Sequence, residues 1–397
     1  MKRILYLTFY FKPDLCAGSF RNTPLLECLA RTNPDVRIDV MTTLPNRYGS
    51  FSQEAPEDET LGNVFIHRIA IPKHKSGIKD QILSFKTYYE QVRKQVKGIK
   101  YDLVFSSSSR LFTAYLGYRV ASSLKVPLYL DVRDIFVDTM AEVLHNPLVR
   151  KATLPVLKVL EKQTFTYASH INLISPGFAP YFAPYSQATI SYYTNGIDPE
   201  FVRIYEQTAS PSRSDPAKKT ILYAGNMGQG QGLEKIIPQA ATSLGDEFHF
   251  KLIGDGGTRP LLEQKIRELK LTNVTLHPPV SRVELLAAYQ EADYLLMHLN
   301  DYNAFKKVLP SKVFELAMFK KPVLAGVGGY SRKFLRENLP DTLLFDPGDH
   351  QGLVNRLQEH DLGAFVPADR SVFIEKFLRE KVNQRMADSI LSYLPSS

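Results

Sequence analysis

The chain has 397 residues, of which 44% are apolar and 23% charged, and its formal net charge is +8 at pH 7. A globular chain of this length usually holds two or three domains with large cores, so the composition excludes disordered and fibrous proteins. Its two cysteines, Cys16 and Cys28, are too few for a disulfide framework or a cysteine-based zinc site, and we expect a reducing cytosol.

The amino-terminal segment predicts a first strand, not a signal peptide. Its apolar run meets charged residues and Pro13 before any small-residue cleavage site. The most apolar longer window, residues 111–130, is interrupted by Arg119 and Lys125, so no segment is predicted to span a bilayer. We therefore expect a cytoplasmic protein whose contact with a membrane is peripheral.

Short apolar runs alternate with helix-length amphipathic segments, which is typical of parallel α/β units. In the first half a helix is expected at about 19–31, and strands are predicted at 3–8, 36–41, 64–70, 102–106, 127–131 and 170–174. In the second half strands are predicted at 219–224, 248–254, 273–277, 293–297, 322–325 and 342–345. A long charged amphipathic helix is predicted at 372–394, with no strand after it.

The two series of strands predict two α/β domains, each with its own sheet. The stretch 206–219 is rich in Ser and Pro and lacks apolar periodicity, so it is predicted to be an exposed linker. The first domain is therefore placed at 1–205, the second at 220–370 and the terminal helical segment at 371–397.

A glycine-rich loop opens the second domain after its first strand. Glycines there allow backbone N–H groups to approach an anion closely at a helix N-terminus. The loop contains Gly225, Asn226, Gly228, Gly230, Gln231 and Gly232. A nicotinamide-binding loop is the main rival, but the spacing is not G-x-G-x-x-G, and the acidic pair Asp246-Glu247 precedes the next strand instead of ending it.

The stretch 309–323 is predicted to be a helix that begins at Pro310 and Ser311 and ends before a strand starting at Pro322. Ser311 near the N-cap and the adjacent Lys312 favour phosphate, while Glu315 is placed to accept hydrogen bonds from ribose hydroxyls. A capped surface helix with ordinary charges is the alternative.

Further glycines follow other strands at the edge where open α/β sheets bind ligands. Gly254 and Gly256 follow the strand at 248–254, and Gly326, Gly328 and Gly329 follow the one at 322–325. Together with the glycine-rich loop and the start of the 309–323 helix, four strand ends are predicted to converge on one phosphorylated ligand.

The order of these features resembles the GT-B glycosyltransferases, and more closely the retaining glycosyltransferases of family 4. The resemblance covers nearly the whole chain. It is carried by the Pro/Gly loop after the first strand, Ile174-Ser175-Pro176-Gly177, Asn195-Gly196-Ile197-Asp198, Gly254-Asp255-Gly256, the helix with Glu315 followed by Lys321-Pro322-Val323, and Asp346-Pro347-Gly348-Asp349. It implies two Rossmann-like domains facing across a cleft, with the nucleotide sugar mostly on the second, the acceptor mostly on the first and the terminal helix packed back on the first domain.

The sequence departs from the usual family pattern in its charges. Many members have Arg and Lys in the first glycine loop and a Glu eight residues before the second motif glutamate, where this chain has Asn226, Gln231 and Lys307. No metal motif is visible, so we expect side-chain cations or helix dipoles to neutralise the departing diphosphate, with Lys307 and Lys312 as catalytic candidates. The form Lys-x-x-Pro-Ser-Lys-x-Phe-Glu, which runs from Lys307 to Glu315, resembles a subgroup that transfers N-acetylated deoxyhexoses, such as N-acetylfucosamine, in bacterial surface polysaccharide (O-antigen or capsule) assembly.

Polar residues at two strand ends of the first domain are candidates for the acceptor side. Asp131 or Asp134 is predicted to orient the acceptor hydroxyl and Arg133 to meet a phosphate, with an internal Asp/Arg ion pair as the alternative. Ser107 and Arg110 lie between a strand and a helix, where they bind an anion or cap the helix.

The loop after the first strand supplies two more acceptor-side candidates. Gly18 and Ser19 allow close approach of a ligand, or form only a turn and a cap.

A basic stripe lies beside an apolar helix face in residues 78–99. The stripe consists of Lys79, Lys86, Arg93 and Lys100. It is predicted to meet an anionic membrane that carries a lipid-linked acceptor, or it is the solvated edge of a core helix. Nucleic acid is not expected as a partner, because no aromatic residues are interleaved with these charges.

The sequence therefore predicts a peripheral, metal-independent, retaining glycosyltransferase that uses a nucleotide sugar, with UDP as its nucleotide, and needs no cofactor. A GT-B-like UDP-sugar epimerase, a nicotinamide-dependent oxidoreductase and a non-catalytic nucleotide-sugar binder are the alternatives.

Overall fold

The computed structural model describes residues 1–14, 16–46, 54–72, 78–108, 111–144, 146–207 and 218–395, without the side chains of 78–81 and 143. The chain divides into two compact units. The first comprises Met1–Asn195 with Arg379–Ser397, and the second comprises Gly196–Leu378. Among the described residues, no helix combines the length and the apolar character needed to cross a membrane.

The first unit is built on a sheet of eight described strands. These are β1 Arg3–Thr8, β2 Arg37–Thr43, β3 Asp58–Leu61, β4 Val64–Ile69, β5 Leu103–Ser108, β6 Leu128–Val132, β7 His170–Leu173 and β8 Thr189–Ser191. The order across the sheet is β3-β4-β2-β1-β5-β6-β7-β8, and all pairs are parallel except β3 with β4. Strand order reverses between β1 and β5, and the crevice at such a reversal is where open α/β sheets bind ligands.

Helices connect these strands. They are α1 Ala17–Thr32, α2 Ile78–Gln95, α3 Leu111–Leu124, α4 Phe136–Val143, α5 Pro147–Tyr167 and α6 Ala179–Phe182. The central strands read as continuous apolar runs because both faces of a parallel sheet are covered, and β1, β5 and β6 are buried almost throughout.

The second unit repeats the α/β plan, and six of its described strands form a parallel sheet. They are β9 Lys219–Ala224, β10 Phe248–Ile253, β11 Val274–His277, β12 Tyr294–His298, β13 Val323–Gly326 and β14 Leu343–Phe345. The order β11-β10-β9-β12-β13-β14 is that of a Rossmann sheet, with its reversal between β9 and β12. Its helices are α7 Pro199–Gln207, α8 Leu233–Leu244, α9 Arg259–Glu268, α10 Arg282–Glu291, α11 Lys312–Leu316, α12 Gly329–Asn338, α13 His350–Glu359 and α14 Ser371–Phe377.

The terminal helical segment differs from the single predicted helix. It is broken at Leu378, which is extended and forms a parallel bridge with Ile197. The helix that follows, α15 Arg379–Leu391, belongs to the first unit, where Met386 and Ile390 join the core cluster that contains Ile4. Pairing with Ile197 needs an extended residue, so one continuous helix is incompatible with it.

The division between the units lies earlier in the chain than the predicted boundary at 205. The N–H of Ile197 donates to the carbonyl of Phe377 at 2.8 Å, and Phe201 is fully buried in a core cluster of the second unit. Most of the predicted linker, residues 208–217, lies outside the described residues.

The predicted basic stripe is not one continuous helix face. Helix α2 ends at Gln95 and Gly98 has φ = +78°, so Lys100 lies beyond the helix. Lys86 and Arg93 are exposed, and Lys86 lies 3.8 Å from the carboxylate of Glu90. The side chain of the fourth member, Lys79, is outside the described residues.

Candidate functional site

The glycine-rich loop after β9 runs beside the loop after β10. The N–H of Gly225 donates to the Ile253 carbonyl at 2.9 Å, and the N–H of Met227 donates to the Asp255 carbonyl at 2.8 Å. A Cβ atom at Gly254 would lie only 1.8 Å from the carbonyl oxygen of Gly225. Glycine is therefore required because the two backbones touch.

Gly256 has the same packing role. A Cβ atom there would lie 2.5 Å from backbone atoms of Met227, and φ at Gly256 is +159°. The donor-binding role that the sequence predicts for Gly254 and Gly256 stays a prediction, and the structure explains both glycines by the contact between the loops.

Lys312 covers the carboxyl end of β9. A Cβ atom at Gly225 would lie 2.7 Å from Cε of Lys312, so this lysine needs glycine beneath it. Its Nζ lies 3.2 Å from the phenol oxygen of Tyr289 and 3.7 Å from Oε2 of Glu315. Burial alone lowers the pKa of Lys312, but Tyr289 and Glu315 outweigh it and raise the pKa above its usual value. The ammonium group is thus held charged at the edge of the sheet.

Helix α11 is much shorter than the predicted helix. Only Lys312–Leu316 is helical, and Ser311 has φ = −60° and ψ = −28° and makes no capping bond with its side chain. Ser311 is therefore already in a helical conformation, from which its hydroxyl does not cap the turn. The helix ends at Leu316, and residues 317–321 form turns before β13 begins at Val323. Ser311 therefore occupies the predicted N-cap position without capping the turn through its side chain, and Pro310 contributes a carbonyl that accepts from the N–H of Val313 at 3.2 Å.

Asn226 and Gln231, the residues at the usual basic positions, are bonded to each other. Nδ2 of Asn226 donates to Oε1 of Gln231 at 2.6 Å, and the same oxygen accepts from the N–H of Gly228 at 3.3 Å. The neutral amide pair closes the loop. Gly230 packs against a ring, because a Cβ atom there would lie 3.0 Å from Cζ of Phe305.

Lys307 ends a short 3₁₀ turn, Phe305–Lys307, after β12. The turn lies against the start of α12, since a Cβ atom at Gly329 would lie 2.0 Å from the carbonyl oxygen of Lys306. Lys307 therefore follows β12, the neighbour of β9 in the sheet. Of the two motif lysines, Lys312 is the one whose side chain lies over Gly225. The role of Lys307 stays a prediction.

In the first unit, Asp131 is a buried structural group. It is fully buried at the end of β6, and its two oxygens accept from Nε and Nη2 of Arg21, both at 2.7 Å. Asn172 and Ser107 also donate to it, at 2.8 and 3.3 Å. Burial raises the pKa of Asp131, but Arg21 outweighs it and the pKa is lowered. The predicted catalytic role is corrected accordingly, because both oxygens are occupied and no face of the carboxylate is exposed.

Asp134 lies beyond β6 and organises the start of α4. Its Oδ1 accepts from the hydroxyl of Thr139 at 3.1 Å, and burial is the main reason that its pKa is raised to about 6. Arg133 lies against the start of α1, since a Cβ atom at Gly18 would be 3.1 Å from its Nη1. The internal Asp/Arg ion pair that the sequence offered as the alternative is present for Asp131, and its arginine is Arg21.

The remaining acceptor-side candidates divide between the core and the undescribed segments. Ser19 is buried inside α1, which begins at Ala17, so the predicted cap at Ser19 is wrong. Ser107 is buried as part of the Asp131 network. Arg110 lies outside the described residues.

Comparison with known proteins connects the second unit to a family. Residues 205–360 match the family model of glycosyl transferases group 1. The match contains all six strands of the second sheet, the glycine-rich loop and Lys312 with Glu315.

A curated relative and two solved structures extend the comparison. Over 175 residues the chain is 31% identical to the "Putative colanic acid biosynthesis glycosyl transferase WcaI" of Escherichia coli (strain K12). The matched region covers 42% of this chain and 42% of that relative. The match thus spans less than half of that relative's length. The fold resembles sucrose-phosphate synthase from Thermosynechococcus elongatus (TM-score 0.66, 15% identity, 98% of this chain and 95% of that one). It also resembles Anabaena HepE in complex with UDP and glucose (TM-score 0.64, 15% identity, 99% of this chain and 100% of that one).

These likenesses confirm the predicted fold class. The chain has the GT-B fold, with two Rossmann-like α/β units built on mainly parallel sheets. The division of labour between a donor domain and an acceptor domain stays a prediction.

Two residues at the matched edge were not predicted as members of the site. Tyr289 is fully buried, which raises its pKa, and its phenol contacts Lys312. His298 ends β12, and its Nδ1 lies 2.5 Å from the Gln231 carbonyl while Nε2 accepts from the N–H of Gly348 at 2.9 Å. Burial lowers the pKa of His298 to about 4, so the neutral ring joins the glycine-rich loop to the turn after β14. Its position at a strand end beside the reversal was the available signal.

Proposed function

We propose that this protein is a glycosyltransferase that moves a sugar from a nucleotide sugar to an acceptor hydroxyl. The observation that carries the proposal is the charged Lys312, which lies over Gly225 at the strand reversal of the second sheet. Group 1 likeness across the same residues supports it.

Lys312 is suited to a leaving diphosphate. When the bond between the sugar C1 and the diphosphate oxygen breaks, the electron pair stays on the diphosphate, and a fixed ammonium group stabilises the charge that grows there. Tyr289 holds the ammonium group from one side, so little reorganisation accompanies the reaction. The acceptor oxygen forms the new bond to C1, and its proton leaves with the nucleoside diphosphate.

Glu315 is assigned to the donor ribose. Its carboxylate is partly exposed, with 18% of the side chain accessible, and lies one helical turn from Lys312. A carboxylate accepts hydrogen bonds from neutral hydroxyls, so it holds the ribose without competing for the diphosphate. The two residues thus divide nucleotide binding from charge stabilisation.

The finer assignments follow from the likenesses. UDP is proposed as the nucleotide because HepE, which shares the fold, has a structure with UDP. The name of WcaI refers to colanic acid biosynthesis, which supports a lipid-linked saccharide as acceptor in surface polysaccharide assembly. An N-acetylated or deoxy hexose as the transferred sugar is proposed from the sequence motif that contains Lys307 and Glu315. Retention at C1 is proposed from the resemblance to family 4, and independence of metal from a sequence in which no metal motif is visible.

Nucleotide binding is tested by thermal unfolding with UDP, GDP, dTDP and CDP. A ligand at 100 times its dissociation constant stabilises the folded state by about 2.7 kcal/mol, so UDP is expected to raise the unfolding midpoint and the others to raise it less. No stabilisation by any of the four would contradict the proposal.

The type of reaction is tested by the need for an acceptor. A transferase releases nucleoside diphosphate from its donor in proportion to acceptor, whereas an epimerase of the same fold converts the donor without acceptor. We expect release of UDP from candidate UDP sugars to depend on a membrane extract that contains lipid-linked saccharides. Equal conversion in its absence would favour the epimerase.

A further inference from the structure

Helix α5 of the first unit has an exposed apolar strip opposite the face by which it packs. The packed face contains Leu157, Thr164 and Phe165, which are buried. On the other side four large apolar side chains are exposed, namely Leu148 by 79%, Val149 by 46%, Val156 by 58% and Val159 by 56%. Leu148, Val156 and Val159 follow one another at helical spacing, so they share one side of the helix.

Lysines flank this strip along one edge. Lys151, Lys158 and Lys162 are exposed and are separated by two turns and one turn of the helix, so they form a row beside Val159. Arg150 adds a fourth exposed positive charge in the first turn. Helix α5 is described throughout, and its one acidic residue, Glu161, is on the packed face with its carboxylate bonded to the hydroxyl of Tyr181 at 2.5 Å.

We propose that this face of α5 docks the protein on an anionic phospholipid surface. It is named here the α5 face and consists of Leu148, Val149, Lys151, Val156, Lys158, Val159 and Lys162. A helix with an apolar strip and a basic edge lies in the interface of a bilayer, with its apolar side among the acyl chains and its lysines at the headgroups. Lysine stems extend along apolar surface while their ammonium groups stay in water.

Charge distinguishes a lipid surface from a protein partner here. The exposed part of α5 carries four positive charges and no negative one, which suits a continuous layer of phosphates. A shallow depression lined by Pro147, Arg150, Lys151, Leu154 and Pro155 adds a concave basic spot at the amino-terminal end. The exposed basic residues of α2 differ, because Lys86 has Glu90 beside it.

The inference deepens the proposed function, since a lipid-linked acceptor would be met at the surface on which α5 docks. It does not depend on which sugar is transferred. Binding to lipid and turnover of donor are measured separately, so either can fail alone.

The test is sedimentation of the full chain with two kinds of vesicle, phosphatidylcholine alone and phosphatidylcholine with phosphatidylglycerol in equal parts. The parent protein is expected to bind the anionic vesicles more tightly and to lose this preference as salt rises. Lys151→Gln, Lys158→Gln and Lys162→Gln together should weaken binding to anionic vesicles on the order of 100-fold, since each charge contributes about 1 kcal/mol. Val156→Gln with Val159→Gln should weaken binding to both kinds of vesicle.

A matched control is available on α2. Lys86→Gln, Arg93→Gln and Lys94→Gln together remove the same charge from another exposed helix of the same unit and should leave most of the binding intact. Equal losses in the two triple variants would show that only net charge matters and would overturn the proposal. Parent-like binding by the α5 triple variant would also overturn it.

Lipid docking is separated from misfolding and from self-association by measurements without vesicles. All variants alter exposed residues, so the unfolding midpoint should match that of the parent. Sedimentation velocity should show the same mass for parent and variants, and a parent dimer that the α5 variants dissociate would assign the face to a second copy instead. Stabilisation by UDP should be unchanged in the α5 variants, and its absence in the parent would contradict the proposed function while leaving lipid docking intact.

Discussion

The ammonium group of Lys312 lies 3.2 Å from the phenol oxygen of Tyr289. The lysine side chain lies over Gly225 at the end of β9, so that position has no room for a side chain. A buried tyrosine on α10 thus fixes a lysine that belongs to a helix of only five residues. The lysine is held from outside its own helix, which explains how so short an element can present a charge reliably.

Removing this charge should slow transfer more than it weakens nucleotide binding. Lys312→Met is expected to lower kcat by about 10² to 10³, because the diphosphate gains charge in the transition state. Glu315→Ala should instead weaken the binding of UDP and of the UDP sugar alike. Lys333→Met, at an exposed lysine of α12 that pairs with Glu337, is the control. Normal UDP affinity and normal kcat in both site variants, with the fold intact, would refute the assignment.

The second motif lysine gives a separate prediction. Lys307→Ala should cost on the order of 10² in kcat if Lys307 replaces the cation that Asn226 and Gln231 do not supply. Gln231→Lys should restore only part of this rate, because it also removes the oxygen that accepts from Asn226 and Gly228. Steady-state kinetics of the single and double variants measure both effects. A near-normal rate for Lys307→Ala would show that Lys307 does not replace the cation that is absent at Asn226 and Gln231.

The contact between the two loops predicts a large loss of stability for Gly254→Ala. The new Cβ atom would overlap the carbonyl oxygen of Gly225, and φ at Gly254 is +145°. Gly245→Ala is the matched control, since φ there is +59° but no atom lies within 4 Å of the added Cβ. We expect the control to lose about 1 kcal/mol from backbone strain alone and Gly254→Ala to lose several times more in urea unfolding. Equal losses would mean that the loops separate at little cost.

Asp131 should behave as a structural residue. Asp131→Asn leaves the buried Arg21 without its charge partner and is expected to cost roughly 3–5 kcal/mol in the free energy of unfolding. The folded-state pKa of Asp131 is lowered, so its stabilisation is complete above the ordinary aspartate pKa and is lost as pH falls through the lowered value. Acid unfolding of Asp131→Asn should therefore be less steep than that of the parent. A stable variant with no activity would instead restore the catalytic interpretation.

Glu161 gives the opposite pH dependence. Burial raises the pKa of Glu161 from 4.5 to about 7, so the folded protein holds a proton that the unfolded chain releases. Stability should fall as pH rises through this window, by up to about 1.4 kcal/mol per pH unit. Glu161→Gln should remove that slope, whereas Glu359→Gln, at an exposed glutamate, should not. Unfolding curves between pH 4.5 and 7.5 give the comparison.

The central strands were predicted well because burial on both faces makes each of them a short apolar run that can be recognised in the sequence. The strand at 219–224 was placed at Lys219–Ala224 as observed, whereas the edge strands β3 and β8 were missed because they are short and largely exposed. Helix ends were harder, since α11 ends at Leu316 and turns occupy the residues between it and β13, where the sequence predicts a longer helix.

The candidate site was only partly predictable for a similar reason. Lys312 and Glu315 lie close together in the sequence, so their proximity follows from helical spacing. Tyr289 and Arg21 reach Lys312 and Asp131 from distant parts of the chain, and nothing in their neighbouring residues indicates those partners. Asp131 was therefore assigned to the acceptor when its actual contact is a core arginine.

The first unit contains residues from both before and after the second unit, and this affects the order in which the two units fold. The cluster around Ile4 is completed by Ala387 and Ile390, which follow the whole of the second unit in the chain. The second unit, Gly196–Leu378, is a continuous stretch whose core clusters need nothing outside it. Although domains generally fold from the amino terminus during translation, here the later unit has its full core available first, and the earlier one must wait until helix α15 has been synthesised.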